Sequence, residues 1–180
     1  MVSSQLDILL LAIAQGNIAE AEGMMPLAAA ALSDTNGFHT WVWSLRVELA
    51  RAQIALAKGD LAAASEHAAM LLAQAERTGR VKYVVAGQRV LAACHQREAR
   101  SDEAAKLLRS SASVANKIGY PALLVQVTGE LLSFSDAPKL AAVAAERVDG
   151  IVAELDDDAL RTEFEQTEAV QRIRAASRPG

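Results

Sequence analysis

The chain is poor in several things at once. It has a single cysteine, Cys94, among 180 residues, so it cannot close an internal disulfide, and it has no CxxC pair from which to build a structural zinc site. Cys94 reads as a small buried hydrophobe. Four prolines, ten glycines and an aromatic content of 4% leave too few turn-forming and β-favouring residues for an all-β domain. No apolar run reaches the roughly 18–20 residues that a bilayer-spanning helix needs, so no membrane association is expected. The stretch from Leu6 to Ala14 ends in a small-x-small pattern, but no Lys or Arg precedes it and Asp7 interrupts it. That argues against a secretory leader and for a cytoplasmic protein. A basic surplus is missing too. Eighteen Lys+Arg face 22 Asp+Glu, for a net charge of −4, and the cations are interleaved with acids, as in Glu76-Arg77 and Arg97-Glu98-Ala99-Arg100. Nucleic acid requires a concentrated cationic surface and is not expected as a partner.

Chemical motifs are equally sparse. Neither GxxxxGK[ST] nor GxGxxG occurs, so no phosphate-cradling loop is present, and no GxSxG elbow offers a nucleophile. The histidines His39, His67 and His95 form no HExxH pair. His95 and Glu98 can share a helix face, yet two ligands do not make a metal site. No catalytic residue, metal or cofactor is expected.

What the chain does have is apolar content of 52%, about a fifth of its residues being alanine, with Leu, Glu, Arg and Gln making up much of the rest. Such a composition is helical. Helix breaks are expected at Gly16-Asn17, Ser33 to Gly37, Gly59-Asp60, Thr78-Gly79, Arg100-Ser101, Gly119-Tyr120-Pro121, Ser133 to Asp136 and Asp156 to Asp158. Between them lie stretches apolar at i, i+3, i+4 and i+7. Asn17, Asp60, Ser101 and Asp136 are placed to act as N-caps, Pro138 suits a first turn, and three aspartates gather where a helix N-terminus favours carboxylates. Eight or nine helices are expected, and no strand.

The breaks recur. Gly16-Asn17-Ile18-x-x-Ala21 is echoed 43 positions on by Gly59-Asp60-Leu61-x-x-Ala64, and more weakly by Arg100-Ser101-Asp102-x-x-Ala105. A helix–turn–helix unit repeating at such a period signals stacked hairpins that cannot bury their apolar faces alone. The helix from Phe38 to Lys58 has the pattern this requires. Trp41, Val42, Leu45, Leu49, Ala52 and Leu56 share one face, and Trp43, Val47, Ala50, Ile54 and Ala57 another, because residues two apart lie about 200° apart on a helix. A helix apolar on two sides is sandwiched. Phe38, Trp41 and Trp43 serve either as packing between the first two repeats or as an aromatic interface for a partner.

The string Leu49-x-x-Ala52-x-x-x-Leu56-x-x-Gly59-Asp60-Leu61-x-x-Ala64-x-x-x-Ala68-x-x-Leu71 resembles a tetratricopeptide (TPR) repeat, in units longer than the consensus of about 34 residues and without its final proline. The Gly16 unit matches over its turn and the Ser101 unit more weakly, so the resemblance covers roughly residues 3 to 135. Such long units are similar to the C-terminal TPR arrays of large bacterial signalling and regulatory ATPases and cyclases, and Leu155 to Ile173 resembles the tail helix that ends them. The resemblance implies an all-α right-handed solenoid of three to four TPR-like hairpins with a terminal capping helix, a single domain over residues 1–175 and a flexible tail over 176–180. It implies a non-catalytic protein–protein interaction module, with a regulatory sensor of a small ligand or of an attached ATPase or cyclase as the alternative, and a self-assembly module as the second. It places Arg46, Gln53, Gln88, Arg89, His95 and Gln126 along a partner-binding groove of first helices. The family's clamp for a C-terminal carboxylate uses Lys and Asn where Leu49, Gln53 and His95 stand here, which points away from that ligand. The first helix has no obvious polar outer face, so either a homodimer through that end of the array or excision from a longer chain is a further expectation.

Overall fold

The computed structural model describes residues 2–33 and 40–178. Among these there are ten α-helices and no strand: α1 (Val2–Ala14), α2 (Ile18–Ser33), α3 (Thr40–Lys58), α4 (Leu61–Arg77), α5 (Val81–Arg97), α6 (Ser101–Lys117), α7 (Pro121–Leu131), α8 (Pro138–Glu154), α9 (Asp158–Gln166) and α10 (Glu168–Ser177). Two compact units divide the chain within α5, at Cys94 and His95.

One main-chain device makes five of the reversals. After α1, α3, α4, α5 and α6 a single residue takes the left-handed conformation: Gly16, Gly59, Gly79, Ala99 and Gly119, with φ between 60° and 82°. At each, its own N–H and the next one bond back into the last helical turn. Gly59 N–H reaches the Leu56 carbonyl at 3.1 Å and Asp60 N–H the Ala55 carbonyl at 3.0 Å; Ala99 N–H reaches Gln96 at 3.1 Å and Arg100 N–H reaches His95 at 2.8 Å. This is the Schellman arrangement, which satisfies carbonyls that a helix end leaves orphaned. Ala99 occupies a position that costs an L-residue free energy and a glycine almost none.

In the first unit α3 packs on both α1 and α2 as well as on α4, which is the in-file stacking that the 43-residue shift implies. Its two apolar faces are used as expected, except that Ala57 is exposed. Val47, Ala50 and Ile54 join Leu6, Leu9, Ala12, Ala21 and Ala28 in one buried cluster. Ala52 meets Ala64, Ala68, Val90 and Cys94 in another, and Leu45 meets Leu71 and Ala75 in a third. Cys94 is free and buried. In the second unit α7 packs against α6 and α8, and α10 lies against α7 and α8, burying Val170 and Ile173 with Val125, Ala144 and Val148. Gly129 of α7 is buried where Ala169 of α10 comes closest.

Two local expectations are corrected. The tail stretch Leu155 to Ile173 is two helices, not one, because Thr167 turns extended (ψ 141°) and its hydroxyl donates to the Phe164 carbonyl at 2.8 Å. Of the expected N-caps, Asp60 accepts from Ala63 N–H at 3.0 Å, but Ser101 is already the first helical residue after Arg100, and Ala137, not Asp136, flanks α8. Asp157 is the cap in the aspartate run, accepting from the N–H groups of Ala159 and Leu160. α10 ends at Ser177.

Candidate functional site

Unit one carries two polar constellations. The first lies where α1, α3 and α5 present their polar residues. Arg46 of α3 reaches back to α1, ion-paired to Asp7 and donating to Ser3 Oγ at 3.4 Å. Its side chain is only 13% exposed, so this guanidinium is already engaged. Burial raises the Tyr83 phenol above its ordinary pKa of 10.0, opposed by the nearby charges of Arg46 and Arg80. The Arg80 guanidinium lies 4.5 Å from the centre of the Trp41 ring, a cation–π distance. Trp41 is half-buried against Leu45, Leu71 and Ala75, and its carbonyl accepts from Ser44 Oγ at 2.8 Å and Gln74 Nε2 at 3.3 Å. Arg77, Arg80 and Lys82, at the turn between α4 and α5, are exposed.

The two tryptophans point to different places, as their two-residue spacing requires: Trp43 packs against the cluster of Leu6, Leu9 and Val47. Phe38 lies outside the described residues. Of the other expected groove residues, Gln53 is half-buried on α3, and Gln88 and Arg89 are half-buried on α5. His95 and Gln126 belong to the second unit. Gln126 is exposed on α7. His95 has its Nδ1 3.7 Å from a Glu98 carboxyl oxygen, and Arg100 hydrogen-bonds that carboxyl and lowers its pKa from the ordinary 4.5.

The second constellation is a pocket of about 340 Å³ among α2, α3 and α4. Met25, Pro26, Ala29 and Ile54 give it an apolar wall, with Arg51, Lys58 and His67 at its polar side. Behind them Glu48 is buried, accepting from Arg51 Nη1 at 2.7 Å and from His67 Nδ1 at 2.8 Å. Lys58 is ion-paired with Glu22. The helical polar stripe of α3 contains Glu48 and Arg51, but nothing in its spacing identifies His67, nineteen residues on, as their partner. Among the described residues no group of three or more His, Cys, Asp or Glu gathers as a metal site, and no helix is long and apolar enough to cross a membrane.

No protein-family model matches the chain, and no curated protein does. Among solved structures it is similar to a kinesin-light-chain-like protein of nearly identical TPR-like repeats from Podosopora anserina, with a TM-score of 0.55 and 19% identity over 97% of this chain and 94% of that one. The fold is TPR-like. The all-α solenoid class read from the recurring breaks stands on that likeness together with the consecutive packing of the helices. In this TPR-like frame α1, α3, α5 and α7 are the first helices of successive hairpins, and α10 packs on α7 and α8 as the closing helix.

Proposed function

We propose that the chain is a non-catalytic protein–protein interaction module, a TPR-like scaffold or adaptor, within a bacterial signalling or transcription-regulatory protein. The observation that carries this reading is the TPR-like stacking of helical hairpins, a fold whose extended surfaces suit partner recognition. The Trp41–Arg80 stack, flanked by the exposed cations Arg77 and Lys82, supplies an aromatic anchor and a charge sign that favour an acidic segment. Arg46 orders α1 against α3, while Gln53 is a polar contact available to a partner on this unit; Gln126, in the second unit, offers a polar contact of that unit by itself. Each such hydrogen bond contributes about 0.5–1.5 kcal/mol net, so several act together.

The test is capture of a partner from source-cell extract, followed by titration with that partner purified. Arg80→Glu with Lys82→Glu is expected to weaken binding at least tenfold, and Gln53→Ala a few-fold, with melting temperatures unchanged. Binding indifferent to all three substitutions refutes this surface.

A second reading, end-to-end self-assembly as a homodimer, is favoured by Ile8 and Leu11 of α1, which are 53% and 55% exposed, and by Leu27 of α2 at 67%. Light scattering of wild type and an Ile8→Lys/Leu11→Lys variant decides it: a concentration-dependent dimer lost in the variant is expected, and a monomer at every concentration refutes it.

A further inference from the structure

The pocket among α2, α3 and α4 stands apart from the partner surface just proposed, and its cations have N–H donors to spare. Each of its acids already has a partner. Glu48 accepts from Arg51 and His67, Glu22 is paired with Lys58, and Asp60 accepts from the backbone N–H of Ala63. The cations are not used up. A guanidinium has five N–H donors and an ammonium three, and Arg51 makes its ion pair to Glu48 through one nitrogen while Lys58 meets a single carboxylate. An ionised carboxylate only accepts, so the proton between Glu48 and His67 sits on Nδ1, and Nε2 is the ring nitrogen left over. The Lys58–Glu22 pair is half exposed at both ends and opens at little cost, since exposed pairs of this kind contribute little. Arg51 and Lys58 thus keep N–H donors with which to meet an anionic guest.

The opposite wall sets the rest of the ligand. Met25, Pro26 and Ala29 of α2 face Ile54 of α3 across a volume of about 340 Å³, at the small end of the range for ligand pockets, about 300–1,000 Å³. Pro26 sits inside α2 and has no N–H to give the Glu22 carbonyl beside the mouth. We propose that this pocket binds a small carboxylate with a short apolar body, the head on Arg51 and Lys58 and the body on Met25, Pro26, Ala29 and Ile54.

Hexanoate is the probe, with hexanol (body without head) and acetate (head without body) as controls, titrated into the intact chain by calorimetry and by amide NMR. Saturable hexanoate binding is expected with a Kd on the order of 0.1–1 mM, with hexanol and acetate at least tenfold weaker and shifts centred on Ala29, Arg51 and Ile54. Ala29→Leu fills the apolar wall without touching the ionic groups and is expected to abolish binding while the chain stays folded. Arg51→Met is expected to weaken hexanoate tenfold or more. Should that variant unfold because Glu48 loses a partner, Lys58→Met carries the same arm. An acetylated tripeptide ending in leucine distinguishes sources: tenfold tighter binding than hexanoate assigns the carboxylate to a chain terminus, and equal or weaker binding to a free acid. Hexanol binding as well as hexanoate, no saturation in the millimolar range, or undiminished binding to Ala29→Leu overturns the proposal. A negative result here leaves the partner-capture experiment untouched.

Discussion

Gly129→Ala puts the docking of the last helix to a direct test. A Cβ built on Gly129 would stand 2.5 Å from the Cα of Ala169, closer still to its Cβ, and 3.3 Å from its carbonyl carbon. Carbon atoms rest at about 3.5–4.0 Å, so α10 must back away from α7 by about 1 Å or more. Overpacking costs about 1–3 kcal/mol, and the upper part of that range applies because the obstacle is backbone instead of a flexible side-chain tip. The ceiling is loss of the docking itself. Val170 and Ile173 are 1% and 0% exposed, and burying each is worth about 1.5–3 kcal/mol. Against this, alanine gains about 0.8–1.0 kcal/mol over glycine inside a helix. The expected balance is a loss of about 1–2 kcal/mol, or about 2–5 kcal/mol if α10 lifts off. Gly150→Ala in α8 is the matched control, since its Cβ meets nothing within 4 Å, and it should gain about 1 kcal/mol. Urea unfolding reads the two signs, and hydrogen exchange at the amides of Val170 and Ile173 reads the docking. A Gly129→Ala protein as stable as Gly150→Ala, or one destabilised with α10 exchange unchanged, refutes the close approach of α7 and α10.

Two further outcomes follow from the same reasoning. Ala99→Gly should stabilise by about 0.5–1 kcal/mol, because the left-handed conformation costs alanine roughly 1–2 kcal/mol and glycine's looser unfolded chain returns about 0.4–1 kcal/mol. A lower urea midpoint would contradict the turn geometry. Tyr83 holds its proton more tightly in the folded chain than in the unfolded one, whose phenol ionises near 10.0. Its contribution is therefore whole below about pH 10 and is lost as pH climbs from there through the raised folded value. Unfolding midpoints should fall less steeply above pH 10 in Tyr83→Phe than in wild type, and superimposable profiles would show that burial of Tyr83 exerts no such effect.

Helix placement was largely legible because the punctuation is chemical. A glycine ahead of Asn or Asp marks a place where one residue can take positive φ and the next can open a helix, and apolar periodicity marks what lies between. The reading slipped where the same backbone event lacked its usual residue. Ala99 makes the turn that glycine makes elsewhere, so the boundary read as Arg100-Ser101 was set by Ser101 instead. Thr167 breaks the tail with neither Gly nor Pro at hand. The candidate site was less legible for a different reason. Periodicity assigns Arg46 to a face but says nothing of Asp7, 39 residues earlier, which claims its charge. Likewise Glu48 and Arg51 lie together on the polar stripe of α3, and only the packing of α4 brings His67 against Glu48. Faces follow from spacing along one helix, whereas partners depend on which helix lies opposite and at what height.

The five Schellman corners draw every hydrogen bond from residues within six positions of one another, so none depends on what sits across from it. An in-frame duplication of some forty codons would thus arrive with its own corner pieces. The corners would travel with such a duplicate, and only its apolar faces would still need the hairpins on either side.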